Sequence, residues 1–149
     1  RDIGIDVEHI PGGGAAGGLG AGMVAFLSAT MRPGVDIVLE TVGLKDQLVG
    51  ADLVITGEGQ TDFQTIYKKA PIGVAEMAKK NDIPVIAISG SLGERFQVVH
   101  DHGIDAAAAI TTAPMTLEEA SEHAFDLIAS ETEEALRFLK TGAKVFGKR

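Results

Sequence analysis

The chain has 149 residues, of which 45% are hydrophobic, and a formal net charge of −8. That allows one domain, or one and a fraction, with a proper core. The acidic balance argues against a nucleic-acid backbone as partner, and the absence of cysteine excludes disulfides, thiolate zinc sites and cysteine nucleophiles.

A small anionic ligand stays open, because lysines and helix N-termini can be local exceptions to the net charge. No run approaches the roughly 18 apolar residues of a membrane span. The first residues, RDIGIDVEHIP, lack the apolar h-region of a signal peptide. The expectation is a cytoplasmic protein with neither membrane nor nucleic-acid partners. The chain starts with Arg rather than Met, which reads as a piece of something longer.

Residues 1–10 alternate, with Ile3, Ile5 and Val7 on one side and Gly4, Asp6 and Glu8 on the other. That predicts a half-buried strand or an extended segment. The run PGGGAAGGLGAG follows, then a helix from near Gly17 or Gly18 to Met31, broken by Arg32-Pro33-Gly34. Its glycines suit backbone N–H groups closing on an anion at a helix start, or two backbones packing tightly. Gly12 to Gly17 also matches G-x-G-x-x-G, but glycine this dense matches a dinucleotide fingerprint by chance. Residues 35–42 read as a short helix ended by Gly43, and 44–49 as a further turn or two.

Ala51 to Thr56 is a short apolar run typical of a parallel strand covered on both faces. After it, Gly57-Glu58-Gly59 brackets a carboxylate, and Asp62, Gln64, Thr65, Lys68 and Lys69 follow before Pro71 opens a helix over 71–81. About 14 residues thus lie between strand and helix, where roughly 2–6 are usual. This long loop sits beyond a strand's carboxyl end, where open α/β sheets bind ligands. The bland alternative is a solvated loop whose acids cap their own backbone and whose lysines face water.

A second strand is expected at 85–89, a helix at 93–102 and a third strand at 105–110. Thr116-Leu117-Glu118-Glu119 is a capping box that opens a last helix running to about 140, ahead of a basic, frayed tail. Three βα units predict a parallel sheet with right-handed crossovers. The strand ends Thr56-Gly57-Glu58, Ser89-Gly90-Ser91 and Thr111-Thr112-Ala113 then gather along one edge. Three strands are few for such a sheet.

Glu58 and Asp62 can converge on a metal ion or a substrate hydroxyl. Hard carboxylate oxygens suit Mg²⁺, and either acid can act as a base. Lys69, beside the helix start at Pro71, suits a phosphate. The four histidines read as structural or surface residues, and no P-loop occurs.

Taken together, PGGGAAGGLGAG, GADLVITGEGQTDFQTIYKKAPIGVA, PVIAISGSLG and APMTLEEA resemble the bacterial glycerate kinase family, the type without a P-loop. The resemblance runs from about Pro11 to Leu139 and covers the C-terminal part of enzymes more than twice this length. It implies ATP-dependent phosphorylation of D-glycerate with Mg²⁺. It implies a flavodoxin-like domain with a second α/β domain inserted. Residues 1–45 would be the end of the insert, with its glycine-rich loop. Residues 46–149 would be the C-terminal half of the flavodoxin-like domain, and the ligand cleft would lie between the two.

Carried onto this chain, the resemblance gives Asp62, Lys69 and Glu58 catalytic roles, with Glu58 as the possible metal ligand. Gly13, Gly14, Gly17, Gly18, Gly57, Gly59, Gln64, Thr65 and Ser89 would bind substrate or nucleotide. Gln60 stands where arginine is common in the family, and Lys68 where glycine is usual. The alternatives are a non-catalytic module that binds a small anion or nucleotide, or one that self-associates through an open sheet edge, which also makes a homo-oligomer an expectation. A nicotinamide-dependent oxidoreductase would rest only on the glycine pattern.

Overall fold

The computed structural model describes residues 4–147. The chain divides into two compact units, one up to Ile37 and one from Val38 on.

In the first unit, residues 4–10 form no strand. The half-buried strand does not form: among the described residues no neighbouring strand offers a ladder, and Ile5 is exposed. Ile3 lies outside the described residues. Helix α1 spans Ala15–Leu27, but Ala16, Gly17 and Gly18 all have left-handed backbone angles (φ 51°, 68° and 91°). Regular right-handed helix therefore begins after Gly18, as the glycine pattern predicts. It stops at Leu27 instead of Met31, because Ser28 turns left-handed at φ 52°. The chain then folds back, and a Cβ on Gly20 would lie only 2.9 Å from the Met31 methyl. Helix α2, Gly34–Thr41, carries the chain from the first unit into the second.

The second unit is a three-layer α/β arrangement. After α3 (Leu44–Gln47) come β1 (Val54–Thr56), β2 (Gln60–Thr61), α4 (Ala70–Lys79), β3 (Val85–Ser89) and β4 (Ser91–Leu92). A 3₁₀ helix (Phe96–His102), β5 (Ala106–Ala109), α5 (Leu117–Glu122) and α6 (Ala124–Phe146) complete it. The main sheet has the order β1-β3-β5 and is parallel throughout. Its central strand β3 is buried at all five positions, which is why VIAIS reads as a continuous apolar run without alternation.

Alternate β3 residues serve opposite faces. Val85 and Ala87 pack with Ile72, Ala75 and Ala78 of α4 and with Leu48, Val99 and Ile104. Ile86 and Ile88 join Ile110 on the other face, where Leu53 and, from α6, Leu127 and Ala135 cover them. Lys79, in the last turn of α4, binds Asp105 at 2.6 Å, and the same carboxylate oxygen accepts the Val85 N–H at 2.7 Å. One side chain thereby joins α4, the start of β3 and the approach to β5.

Three expectations need correction. Residues 91–92 pair as β4 with β2, so the expected helix at 93–102 is shortened to a 3₁₀ segment. The capping box forms at Thr116 and Glu119, but the last helix breaks at His123 into α5 and α6. The tail does not fray after 140: α6 continues to Phe146, and Lys148 and Arg149 lie outside the described residues.

Candidate functional site

The site is built where β1 and β3 end. Gly57 and Gly90 are there because nothing larger fits. A Cβ on Gly57 would sit 2.0 Å from the Ile88 carbonyl oxygen, and one on Gly90 would sit 2.4 Å from that of Gly59. Two backbones can therefore run against each other past the sheet edge. Gly90 N–H donates to Glu58 O at 3.0 Å, Ser91 N–H to Gly59 O at 3.1 Å and Gly93 N–H to Thr61 O at 2.8 Å. These bonds make β2 and β4 a second, two-stranded parallel sheet. The loop after β1 is thus bonded along its first half to the loop after β3.

That framework fixes a chain of hydroxyls and charges. Ser89 and Thr61, both buried, share a hydrogen bond of 2.7 Å between hydroxyls. Thr61 Oγ1 also stands 3.4 Å from Glu58 Oε1, and buried Thr65 donates to the same oxygen at 2.6 Å. Glu58 Oε2 faces Lys69 Nζ at 3.4 Å, and Lys69 Nζ is 3.8 Å from Asp62 Oδ1. Asp62 is held in turn. Its Oδ1 accepts the Gln64 N–H at 2.8 Å, and its own N–H donates to Thr65 Oγ1 at 3.1 Å. Charge-assisted bonds of this kind keep a carboxylate in place.

Lys69 is also the N-cap of α4, in extended conformation, with its carbonyl accepting the N–H groups of Ile72 and Gly73. Pro71 at the first turn fits, since its missing N–H is not needed there. A cation, two carboxylates and a helix N-terminus consequently meet within a few ångströms.

Glu58, Asp62, Lys69, Thr65 and Ser89 converge in this cluster, and Gly57 and Gly59 form its backbone wall. Gln64 contributes its backbone, and its side chain is exposed. Gly13, Gly14, Gly17 and Gly18 belong to the first unit. There Gly13 is buried with its N–H on Ile10 O at 2.9 Å, and Gly17 and Gly18 supply the left-handed turn into α1.

Thr61 and Gly93 escape sequence reasoning, and Gly90 enters it only as part of a strand end, since the β2–β4 pairing that gives them meaning spans two loops. His100 bonds the Ile104 carbonyl at 2.8 Å.

Lys68 has φ of 60°, a left-handed angle that glycine adopts freely, and its Nζ bonds Glu76 of α4 at 2.6 Å. Gln60 lies against Gly93, where a Cβ would come within 2.7 Å of its side-chain nitrogen.

Beside the cluster is an open cleft of about 570 Å³. Thr56, Glu58, Ser89 and the three glycines form one wall, and Leu117, Ala124 and Ile128 of α5 and α6 form the other. Its size falls within the roughly 300–1,000 Å³ of small-molecule sites. Among the described residues, no three His, Asp or Glu side chains come together as a metal cage. Mg²⁺ needs less, one or two carboxylates completed by phosphate oxygens and water. Glu58 Oε2, whose contact with Lys69 is loose, and the Asp62 carboxylate fit that donor set.

A parallel α/β sheet with acids, a lysine and apposed glycine loops at its carboxyl edge places the chain in the open-sheet α/β class, in which ligands bind beyond the strand ends. The sequence is more specific. Residues 1–140 match the model of the glycerate kinase family, and the chain belongs to that family.

It is 50% identical over 128 residues to a glycerate kinase of Halalkalibacterium halodurans, covering 86% of this chain and 34% of that one. It is 45% identical over 143 residues to the glycerate 2-kinase of Escherichia coli, covering 96% and 38%. A crystal structure assigned as glycerate kinase 2 from Salmonella typhimurium LT2 superposes with a TM-score of 0.72 at 42% identity, over 97% of this chain and 37% of that one. The chain therefore spans about a third of the length of the relatives it matches.

Proposed function

We propose that these residues serve ATP-dependent phosphorylation of D-glycerate, as the C-terminal part of a longer cytoplasmic kinase whose ligands are small molecules. In this reading residues up to about 45 close an inserted domain, and those from 46 on complete the flavodoxin-like domain. The observation that carries it is the cluster of Glu58, Lys69 and Asp62, held by buried threonines at the sheet edge.

Phosphoryl transfer asks a protein for positioning and charge neutralisation more than for covalent help. Asp62, oriented by the Gln64 N–H and tied through Thr65, accepts the proton of the attacking glycerate hydroxyl. Lys69, at the start of α4, offsets charge on the transferred group. Glu58, its Oε1 held by Thr65, would hold Mg²⁺ through Oε2, directly or through water. The ion would neutralise charge on the nucleotide's phosphate oxygens. The apolar cleft beside Gly57 and Gly59 suits a nucleotide base.

In the full-length enzyme, Asp62→Asn should lower kcat about 100-fold or more, the usual worth of a positioned base. Near-normal turnover in that variant would remove Asp62 from this role. If the unaltered full-length protein ignores glycerate with Mg·ATP, the substrate assignment itself fails.

A further inference from the structure

We propose that Thr65 is a positioning residue: it holds Glu58, Asp62 and the start of α4 at Lys69 in one arrangement and does not itself touch the ligand. The family resemblance alone would count it among the residues that bind substrate or nucleotide. Its surroundings point to a different role. Thr65 is fully buried, in the turn between β2 and α4. Each of its polar groups is bonded to a member of the charged cluster. Its N–H donates to Asp62 O at 3.1 Å, and its carbonyl accepts the Lys69 N–H at 3.4 Å. Its hydroxyl accepts the Asp62 N–H at 3.1 Å and donates to Glu58 Oε1 at 2.6 Å.

Chemistry fixes the direction of the last two bonds. A backbone N–H can only donate, so the Asp62 amide takes a lone pair of Thr65 Oγ1, and the single hydroxyl proton goes to Glu58. Glu58 is therefore anchored by Oε1, and Oε2 is the oxygen left facing Lys69 Nζ, at 3.4 Å. Asp62 is anchored through the backbone beside its carboxylate. One hydroxyl thus sets the separation of the two acids. Thr61 Oγ1 reaches the same Glu58 oxygen only at 3.4 Å and is engaged with Ser89 at 2.7 Å, so the short anchor is that of Thr65. Threonine suits the task because its β-branch leaves few rotamers. Serine offers the same hydroxyl with more freedom, and valine the same shape with no hydroxyl.

The consequence for turnover rests on the kinase reading above, whereas the bonds do not, and two measurements on the full-length enzyme keep them apart. In Thr65→Val the Asp62 amide should exchange with deuterium about tenfold or more faster than in wild type. The amides of Gly90, Ser91 and Gly93 should keep their rates, since their acceptors are Glu58, Gly59 and Thr61 carbonyls. Thr65→Ser should leave Asp62 protected. With Mg·ATP and glycerate, Thr65→Val should lower kcat about 10- to 100-fold, the cost of acids misplaced by about 1 Å, and Thr65→Ser should recover most of the rate. The KM for glycerate should move less than about threefold, because no ligand contact is removed. Unchanged exchange at Asp62 in Thr65→Val, or a kcat near wild type, would overturn the proposal. Equal acceleration at Gly90, Ser91 and Gly93 would also overturn it, by making Thr65 a support of the whole framework. So would a raised KM at unchanged kcat, the sign of a direct ligand contact. A wild-type enzyme that ignores glycerate would sink the kinase reading alone, and the exchange pattern would still decide what Thr65 holds.

Discussion

Replacing Gly57 by alanine tests the construction of the site more directly than removing any of its charges. The added Cβ would lie 2.0 Å from the Ile88 carbonyl oxygen and 3.1 Å from its carbon, whereas real Cβ contacts essentially never fall under 3.0 Å. The end of β1 must therefore move away from β3 by about 1 Å. Neither side can yield by rotating a side chain, because both are backbone. The movement loads the Thr56–Ala87 register and the bond from Gly90 N–H to Glu58 O. Overpacking costs about 1–3 kcal/mol, and a clash between two backbones belongs at the upper end, about 3 kcal/mol. At about 2–4 °C per kcal/mol for a protein of this size, the melting temperature should fall by about 6–12 °C. Gly59→Ala is the control: nothing lies within 4 Å of its Cβ and its φ is not positive, so it should change stability by less than about 0.5 kcal/mol. Urea titrations followed by circular dichroism, compared at a common m-value, measure the difference. If the two variants unfold within about 0.5 kcal/mol of each other, glycine is not at 57 for close approach and the argument is wrong.

Three further outcomes are expected. Thr61→Val strands the buried Ser89 hydroxyl and should destabilise by about 1–3 kcal/mol, read as a shift in urea midpoint; a neutral effect would mean that Ser89 finds another partner. At position 68, Lys68→Val should be about 1–2 kcal/mol less stable than Lys68→Gly, because a β-branched residue tolerates φ of 60° poorly; equal midpoints would refute the left-handed assignment. For Asp105, burial raises the carboxyl's pKa, but the Lys79 ammonium and the Val85 N–H outweigh it and hold it below its ordinary value. A carboxylate lowered in the fold adds stability above its unfolded pKa and loses it as pH falls through the folded one. The gap between wild type and Asp105→Asn should thus be full at neutral pH and close below about pH 4. A gap that persists unchanged in acid would assign it to packing.

The parallel order, the buried central strand and the capping box at Thr116 were legible because each depends on short-range pattern. VIAIS reads as buried, and a threonine three residues before a glutamate reads as a helix start. The partner of residues 91–92 was not legible, since it lies about 30 residues away in a loop with no apolar repeat. For the same reason Ser89 is legible by its place at a strand end, while Thr61, its hydrogen-bond partner, is not. Lys68 shows the reverse. A lysine where the resemblance leads one to expect glycine is visible as a departure, but only the backbone angle of 60° supplies the reason.

The pairing of β2 with β4 has a consequence for how the site can move. A loop as long as Gly57 to Lys69 would ordinarily be a candidate lid, free to swing over a ligand. Here four backbone bonds, the fourth from Phe63 N–H to Glu94 O at 3.1 Å, join it to the segment after the most buried strand of the sheet. Glu58, Thr61 and Ser89 must therefore shift together or not at all. The amides of Gly90, Ser91 and Gly93 should exchange with deuterium at the pace of the sheet, and not at that of the surface loops. Whatever closes over a bound ligand has to be some other part of the molecule, brought down upon a floor that stays still.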